Sequence, residues 1–469
     1  MSTVRYQLKT FGHATMVVMQ DGQPLVATDP WLIGSTYWRS WWLEAYPTKE
    51  QIELVRTARA IYITHSHPDH FHFPSLRKLG NVRTLHPDLP KYEVPVFLRK
   101  HNFPVTMLEP WKWYSLSESV RMASVPSPIN DSFFLVDTPD TTIVNINDCA
   151  HSPSLLKCIR ERMLIPGKPV VVLRSYSPAS LNNSIVRGDS RASLKTKHDY
   201  VVTARDAATA LGASHFVPFA SQVFFGRSDS VWANQYKVTY EDLRSEWGNG
   251  TVALCEPFVN MDLQTRSYVS EYRGFRPELN DTQTAMVRER EAAEAAFSVP
   301  ADFDTKLSRY LNEVPLLRTL YRKGVGWRLT PGGEERFYDT KSGTVSHKIP
   351  QNHDFVVNLP GKVLSDALDN NVLTDLGITM FLKIEARIDA RRIYGAFLLM
   401  GLHDIGYRGN ARDLATLIRF YGPYFVPSLM RGKRRRPQDQ VGIFEQGAVQ
   451  SYAMTSNDRP LAGKAVKGI

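Results

Sequence analysis

Short apolar runs closed off by glycine, proline, aspartate or asparagine set the rhythm of the first part of the chain. Met16 to Met19, Leu25 to Thr28, Ala60 to Thr64, Phe133 to Asp137, Thr142 to Ile146 and Val170 to Leu173 each read as a strand. Pro74 to Gly80 reads as a helix start, Val201 to Leu211 as a helix stopped by Gly212, and His215 to Phe219 as a further strand. Strand and helix do not alternate strictly, so the pattern predicts an α/β sandwich of packed layers. From Thr282 to Phe297, Arg, Glu and Ala reach helix-favouring density, and Pro300 closes the run. Beyond it, Phe355 to Leu359, Val363 to Leu368, Met380 to Ile388 and Ile393 to Leu402 mix strand-like and helix-like runs. The expected organisation is a sandwich domain over residues 1–275, a smaller α+β domain over 276–436 able to cover a pocket, and a flexible tail over 437–469.

Composition narrows the class without choosing a function. With 469 residues, 43% hydrophobic and 22% charged, the chain is long enough for two domains of ordinary globular make-up. No apolar run approaches the roughly 20 residues of a membrane span. The first residues carry no basic segment followed by an apolar core, so a cytoplasmic protein is expected. Three cysteines, Cys149, Cys158 and Cys255, are too few and too irregular for a disulfide framework and are expected to be reduced. A net charge of +10 favours anionic partners, although Lys433, Arg434, Arg435 and Arg436 supply part of it as a solvated run. No basic stretch interleaved with aromatics points to nucleic acid.

The chemistry concentrates in His65, Ser66, His67, Pro68, Asp69, His70, placed directly after the apolar run Ala60 to Thr64. Side chains two apart on an extended segment share a side, so His65 and His67 can pinch one metal ion while Asp69 and His70 turn toward a neighbouring one. His72 falls outside the pattern and is read as structural.

These residues, with others in order along the chain, resemble the metallo-β-lactamase fold across roughly the first 270 positions. Asp29 in Thr28, Asp29, Pro30 matches an early acidic element and is expected to hold the metal loop by hydrogen bonds. Asp148 in Asn147, Asp148, Cys149 matches the carboxylate that lies between the two metals. His13 in Gly12, His13, Ala14 resembles an element that lies near the site in one branch. Hydrolases of the family carry one His between the loop and that Asp; Ser127 to Asp148 has none, and Asp131 is expected to replace it. They carry another after a late strand, where Val217, Pro218, Phe219, Ala220 places Ala220, while His215 is read as structural. The resemblance thus implies His65, His67 and Asp131 on one ion, Asp69 and His70 on the other, and Asp148 between them.

Three imidazoles and three carboxylates suit iron better than an imidazole-rich set would, although carboxylates also serve zinc and manganese. Thr28 to Gly34, Trp41 to Leu43, Asn145 to Cys149 and Val217 to Ser221 further resemble the metallo-β-lactamase-type portion of cytidine monophosphate N-acetylneuraminate hydroxylases, without the Rieske cluster motifs of that family. The resemblance implies a non-haem di-iron monooxygenase that uses dioxygen to hydroxylate an unactivated carbon of a bulky, largely apolar natural-product acid or its coenzyme A thioester. Electrons would come from an external reductase or small reductant, since no Gly-rich nucleotide loop is present. Trp31, Tyr37, Trp38, Trp41 and Trp42 either line the pocket or pack as ordinary core. Arg174, Arg187 and Arg227 are candidates for an anionic handle. The alternatives are a dinuclear zinc hydrolase of an ester, lactone or phosphodiester, and a non-catalytic metal-binding or assembly protein.

Overall fold

The computed structural model describes residues 4–128, 130–178, 184–187, 190–191, 195–425 and 441–442. The basic run at 433–436 lies outside them. Two eight-stranded sheets form the first part of the chain. One runs in the order Tyr268–Ser270, Val259–Asp262, Tyr6–Phe11, Thr15–Gln20, Gln23–Thr28, Ala60–Tyr62, Thr84–Pro87, Val105–Leu108. The other runs Ala253–Leu254, His215–Pro218, Val170–Arg174, Thr142–Asn147, Asp131–Asp137, Arg121–Ser127, Trp113–Ser115, Val441–Gly442. Those last two residues fall in the stretch expected to be a flexible tail, and they pair in parallel with Tyr114 and Ser115.

Alternation along each strand decides what packs where. Leu8, Met16, Val18 and Val26 face Phe134, Val136, Ile143 and Val171 between the sheets, and Tyr62 stacks on Phe134 at 4.1 Å across the gap. Their neighbours point the other way, as a period of two requires. Val17, Met19, Ala27 and Ile61 meet Val55, Leu76 and Leu98 of the helices Lys49–Thr57, Phe73–Leu79 and Glu93–Lys100. Phe133, Leu135, Val144 and Val172 meet Leu155, Ile159, Val201 and Ala204 of the helices Pro153–Met163 and Lys197–Ala210. Helices therefore cover both outer faces, giving four layers in the order α, β, β, α.

A seven-stranded sheet carries most of the C-terminal part, in the order Ser190–Arg191, Ile185–Arg187, Lys383–Ala386, Phe355–Pro360, Val325–Thr330, Glu334–Asp339, Thr344–Ser346. Its core continues into the N-terminal part: Trp31, Tyr37, Trp38 and Trp41 pack with Leu307, Trp327, Leu376 and Phe381. Trp41 Nε1 donates to the Ile378 carbonyl at 3.0 Å. The tryptophan-rich segment is thus the seam between the two parts, and the seam runs beside the histidine loop. No helix among the described residues is long and apolar enough to cross a membrane.

Candidate metal centre

Sheet register brings the ligand-type residues together. Gln23–Thr28 runs parallel to Ala60–Tyr62 with Thr28 opposite Tyr62, so Asp29 and the histidine loop leave the sheet side by side. Asp29 is fully buried. Its Oδ1 accepts from the Thr64 amide at 2.8 Å; its Oδ2 accepts from Thr64 Oγ1 at 2.7 Å and lies 2.9 Å from His70 Nδ1. With both oxygens engaged, Asp29 pins the loop and assigns the His70 proton to Nδ1, which frees Nε2 for a metal.

His70 Nε2 is buried without a hydrogen-bond partner among the described residues. It lies 3.5 Å from Asp69 Oδ2 and 3.4 Å from Asp148 Oδ1. Asp148 Oδ1 is also 3.9 Å from His65 Nε2, which in turn is 2.9 Å from His67 Nδ1. Asp148 therefore stands between His65 and His70. Two groups of ligand atoms result, His65 with His70 and Asp148, and His13 with Asp69 and His70, the atoms of each lying within 4.8 Å of one another. An orphaned imidazole nitrogen facing carboxylates in a buried pocket fits a bound cation.

Two positions differ from the ligand set expected above. His13 enters the cluster itself, with Nε2 3.1 Å from Asp69 Oδ2. The Ala220 amide donates to the His13 carbonyl at 3.0 Å, so the residue standing where a late His was expected lies beside the backbone of His13. The left-handed Gly12, at φ +64°, turns the chain between the first two strands and aims His13 inward. Asp131, in contrast, lies against the far edge of His65: its Oδ1 is 3.2 Å from His65 Nδ1, whereas the His65 Nε2 edge faces His67 and Asp148. Asn130, left-handed at φ +60°, sets that approach, and the Ser132 amide holds Asp131 Oδ1 at 2.6 Å.

The charges of the cluster favour a cation. Burial disfavours a charged His65, but Asp131 and Asp148 outweigh it and hold its pKa up at about 9. His67, which burial and His65 both oppose, is pushed down to about 4. Burial also opposes the Asp69 carboxylate, yet His70 and His13 keep its pKa well below the usual range. His72 lies apart, hydrogen-bonded to Ser75 Oγ at 2.7 Å, and His215 starts a strand beside Ser214.

Residues that the motifs did not flag also reach the site. Tyr37 donates from its hydroxyl to Asp69 Oδ1 at 2.5 Å. It begins a left-handed run of Tyr37, Trp38 and Arg39 at φ +51°, +54° and +67°, a conformation costing on the order of 1 kcal/mol or more per residue. Tyr37→Phe is expected to weaken metal binding by about tenfold, the usual effect of losing a group that positions a ligand; chelator competition measures it, and unchanged affinity would remove Tyr37 from the site. His86 is buried, its Nε2 without a partner among the described residues and within electrostatic reach of His65, and burial pushes it down to about 4.

Asp375 comes from the C-terminal part, on the 3₁₀ turn Leu373–Ile378. Burial, Asp404 and Asp69 together hold its pKa well above the carboxylate range. Asp404 itself is raised to about 7 by burial, against hydrogen bonds from Tyr310 and Thr374. A carboxyl with a raised folded-state pKa gives stability that is fully present below its unfolded value of 3.8 and is lost as pH rises through about 7. The stability difference between the parent protein and Asp404→Asn is therefore expected to shift against the parent between pH 5 and pH 8; urea midpoints at both values test it, and a constant difference contradicts it.

Of the three arginines considered for an anionic handle, Arg227 is excluded by its surroundings. It is buried and ion-paired to both Asp229 and Glu294. Arg187 lies in a strand with its side chain outside the described residues. Arg174 feels Cys149 and Asp148 electrostatically, without contact to either.

Residues 7–160 match the β-lactamase superfamily domain, and the four layers with the histidine loop at the sheet ends give the chain a metallo-β-lactamase fold with an added C-terminal part. Over 157 residues the chain is 31% identical to the cytidine monophosphate-N-acetylneuraminic acid hydroxylase of Asterias rubens, covering 31% of this chain and 23% of that protein. It is 32% identical over 157 residues to the inactive cytidine monophosphate-N-acetylneuraminic acid hydroxylase of Homo sapiens, covering 31% and 30%. The chain thus spans under a third of the length of these relatives. A solved structure of CmlA, a diiron beta-hydroxylase from Streptomyces venezuelae, aligns with a TM-score of 0.33 at 18% identity over 47% of this chain and 45% of that one.

Proposed function

We propose that the protein is a metal-dependent hydroxylase, a non-haem di-iron monooxygenase acting with dioxygen on an unactivated carbon of a bulky small molecule. The observation that carries this reading is the similarity over 157 residues to hydroxylases, together with a matched segment, 7–160, that contains His13, Asp29, His65, His67, Asp69, His70, Asp131 and Asp148. A pair of iron ions, when bound, would supply the redox chemistry of dioxygen activation. The chain's own residues do the rest. His65, His67, His70, His13, Asp69 and Asp148 would bind the ions. Asp29, Asp131 and Tyr37 orient them, and Trp31 and Trp41, edge-on to His13 at 5.9 and 6.2 Å, exclude water from that flank. Placing one oxygen atom in a C–H bond and reducing the other to water consumes two electrons and two protons, so an external electron donor is part of the proposal.

With His13 counted, the imidazoles suit zinc as well as iron. Metal identity is therefore the first measurement. Protein produced with iron supplied is expected to hold about two iron ions per chain and to take up dioxygen when given a reductant. Stoichiometric zinc with turnover of an ester, lactone or phosphodiester would instead establish a dinuclear hydrolase.

A further inference from the structure

Arg174 ends the strand Val170–Arg174 directly opposite Asn147, the residue before Asp148. The Ser175 amide donates to the Asn147 carbonyl at 2.7 Å, which locks the two strand ends together. From there the guanidinium donates through Nη1 to the Ser175 carbonyl at 2.7 Å and through Nε to His151 Nε2 at 3.2 Å. No carboxylate among the described residues ion-pairs with it; Cys149 and Asp148 only influence it at longer range. A guanidinium held this way, half-buried and with no carboxylate paired to it among the described residues, is costly unless an anion completes it.

Its neighbours have the same preference. His151 Nε2 accepts from Arg174, so the imidazole proton sits on Nδ1, a second donor. Burial, Arg174 and Lys195 push His151 down to about 3, which keeps the ring neutral in that tautomer. The helix Pro153–Met163 starts two residues later, capped by Ser152, and adds the positive end of its dipole. Asp148, whose side chain is 35% exposed, is the open edge of an otherwise buried cluster. Arg174, paired with the residue that precedes Asp148, lies on the strand end next to that edge.

We propose that Arg174 and His151 form an anion-binding subsite that grips a carboxylate or phosphate group of the substrate at the mouth of the metal centre. This rests on the reading of that centre as the active site. An arginine fork matches either oxyanion in two-point fashion, which an ammonium does not. An anionic end held there directs the remainder of the molecule toward Asp148 and His70. The substrate class is thus an organic acid or phosphate ester with an apolar body.

Calorimetric titration of the metal-loaded protein with inorganic phosphate and, separately, with acetate tests the subsite without turnover. Arg174→Gln is expected to weaken the tighter of the two by at least about tenfold, the scale of a charged hydrogen bond, with metal content unchanged. Arg174→Lys should fall between the two. Arg160→Gln, on the outer helix, should bind as the parent does. Tighter phosphate identifies a phosphate handle, and tighter acetate a carboxylate handle. Absent binding by the parent, or equal affinity in Arg174→Gln, as binding at the metals alone would give, overturns the proposal; so does an equal loss in Arg160→Gln. Should Arg174→Gln not fold, Arg174→Lys decides, and parent-like affinity there overturns the proposal. Arg174-dependent binding without dioxygen uptake would refute the hydroxylase reading and leave the subsite standing; uptake with unaltered anion binding would do the reverse.

Discussion

His70→Ala is expected to strip nearly all bound metal from the protein, while His67→Ala retains about one ion per chain. The difference follows from geometry. His70 offers one free nitrogen, Nε2, within reach of either group of ligand atoms, 3.5 Å from Asp69 and 3.4 Å from Asp148, and it can ligate one ion directly. His67 offers Nδ1 only beside His65. Loss of His70 also frees Asp29 Oδ2 from one of its two partners, loosening the loop that carries the remaining ligands. His70→Gln, which keeps most of the volume, separates ligation from packing and should lose metal to a similar degree. Metal content after dialysis, alongside circular dichroism to establish folding, measures all three. Equal metal loss in His67→Ala and His70→Ala would mean that the contact of His70 with Asp29 does not hold the loop that carries the other ligands.

How much of this centre was legible in the chain depended on whether its parts are local. His65, His67, Asp69 and His70 lie within six residues after an apolar run, and the structure keeps them at the end of the strand Ala60–Tyr62. Asp148 could be read because the apolar run before it forms the strand Thr142–Asn147. For His13 the motif Gly12, His13, Ala14 signalled nearness to the site but not a place in the cluster, because its contact with Asp69 depends on antiparallel pairing of the first strands and on the Ala220 amide. Tyr37 was visible only as one aromatic among several; the left-handed run that points it at Asp69 is imposed by the tertiary seam. Asp375 acts on Asp69 electrostatically from the C-terminal part of the chain, beyond any motif. Arg227 misled for the opposite reason, since position at a strand end says nothing of burial, and burial with two carboxylates makes it structural.

That arginine carries the second large effect. Arg227 donates to Asp229 through Nε and Nη2, to Glu294 through Nη1 at 2.9 Å and Nη2 at 2.6 Å, and to the Trp38 carbonyl at 3.0 Å. Its guanidinium lies 4.4 Å from the Phe381 ring. Glu294 comes from the helix Asp281–Ala295 and is also held by Arg290, which pairs with Asp366. One buried network therefore joins the left-handed Tyr37–Arg39 run to both the helix and the C-terminal part. Removing one partner of a buried ion pair costs about 3–5 kcal/mol because the other charge is left uncompensated. Asp229, half-exposed, still neutralises part of Arg227, so Glu294→Ala is expected at the lower end, about 3 kcal/mol in urea unfolding. Arg227→Met with Glu294→Leu removes both charges and should cost less than the sum of the single changes, the signature of coupled groups. Because Trp38 adjoins Tyr37, Glu294→Ala should also weaken metal binding, by less than the roughly tenfold expected of Tyr37→Phe. Strict additivity in the double variant would show that the pair does not act as a unit.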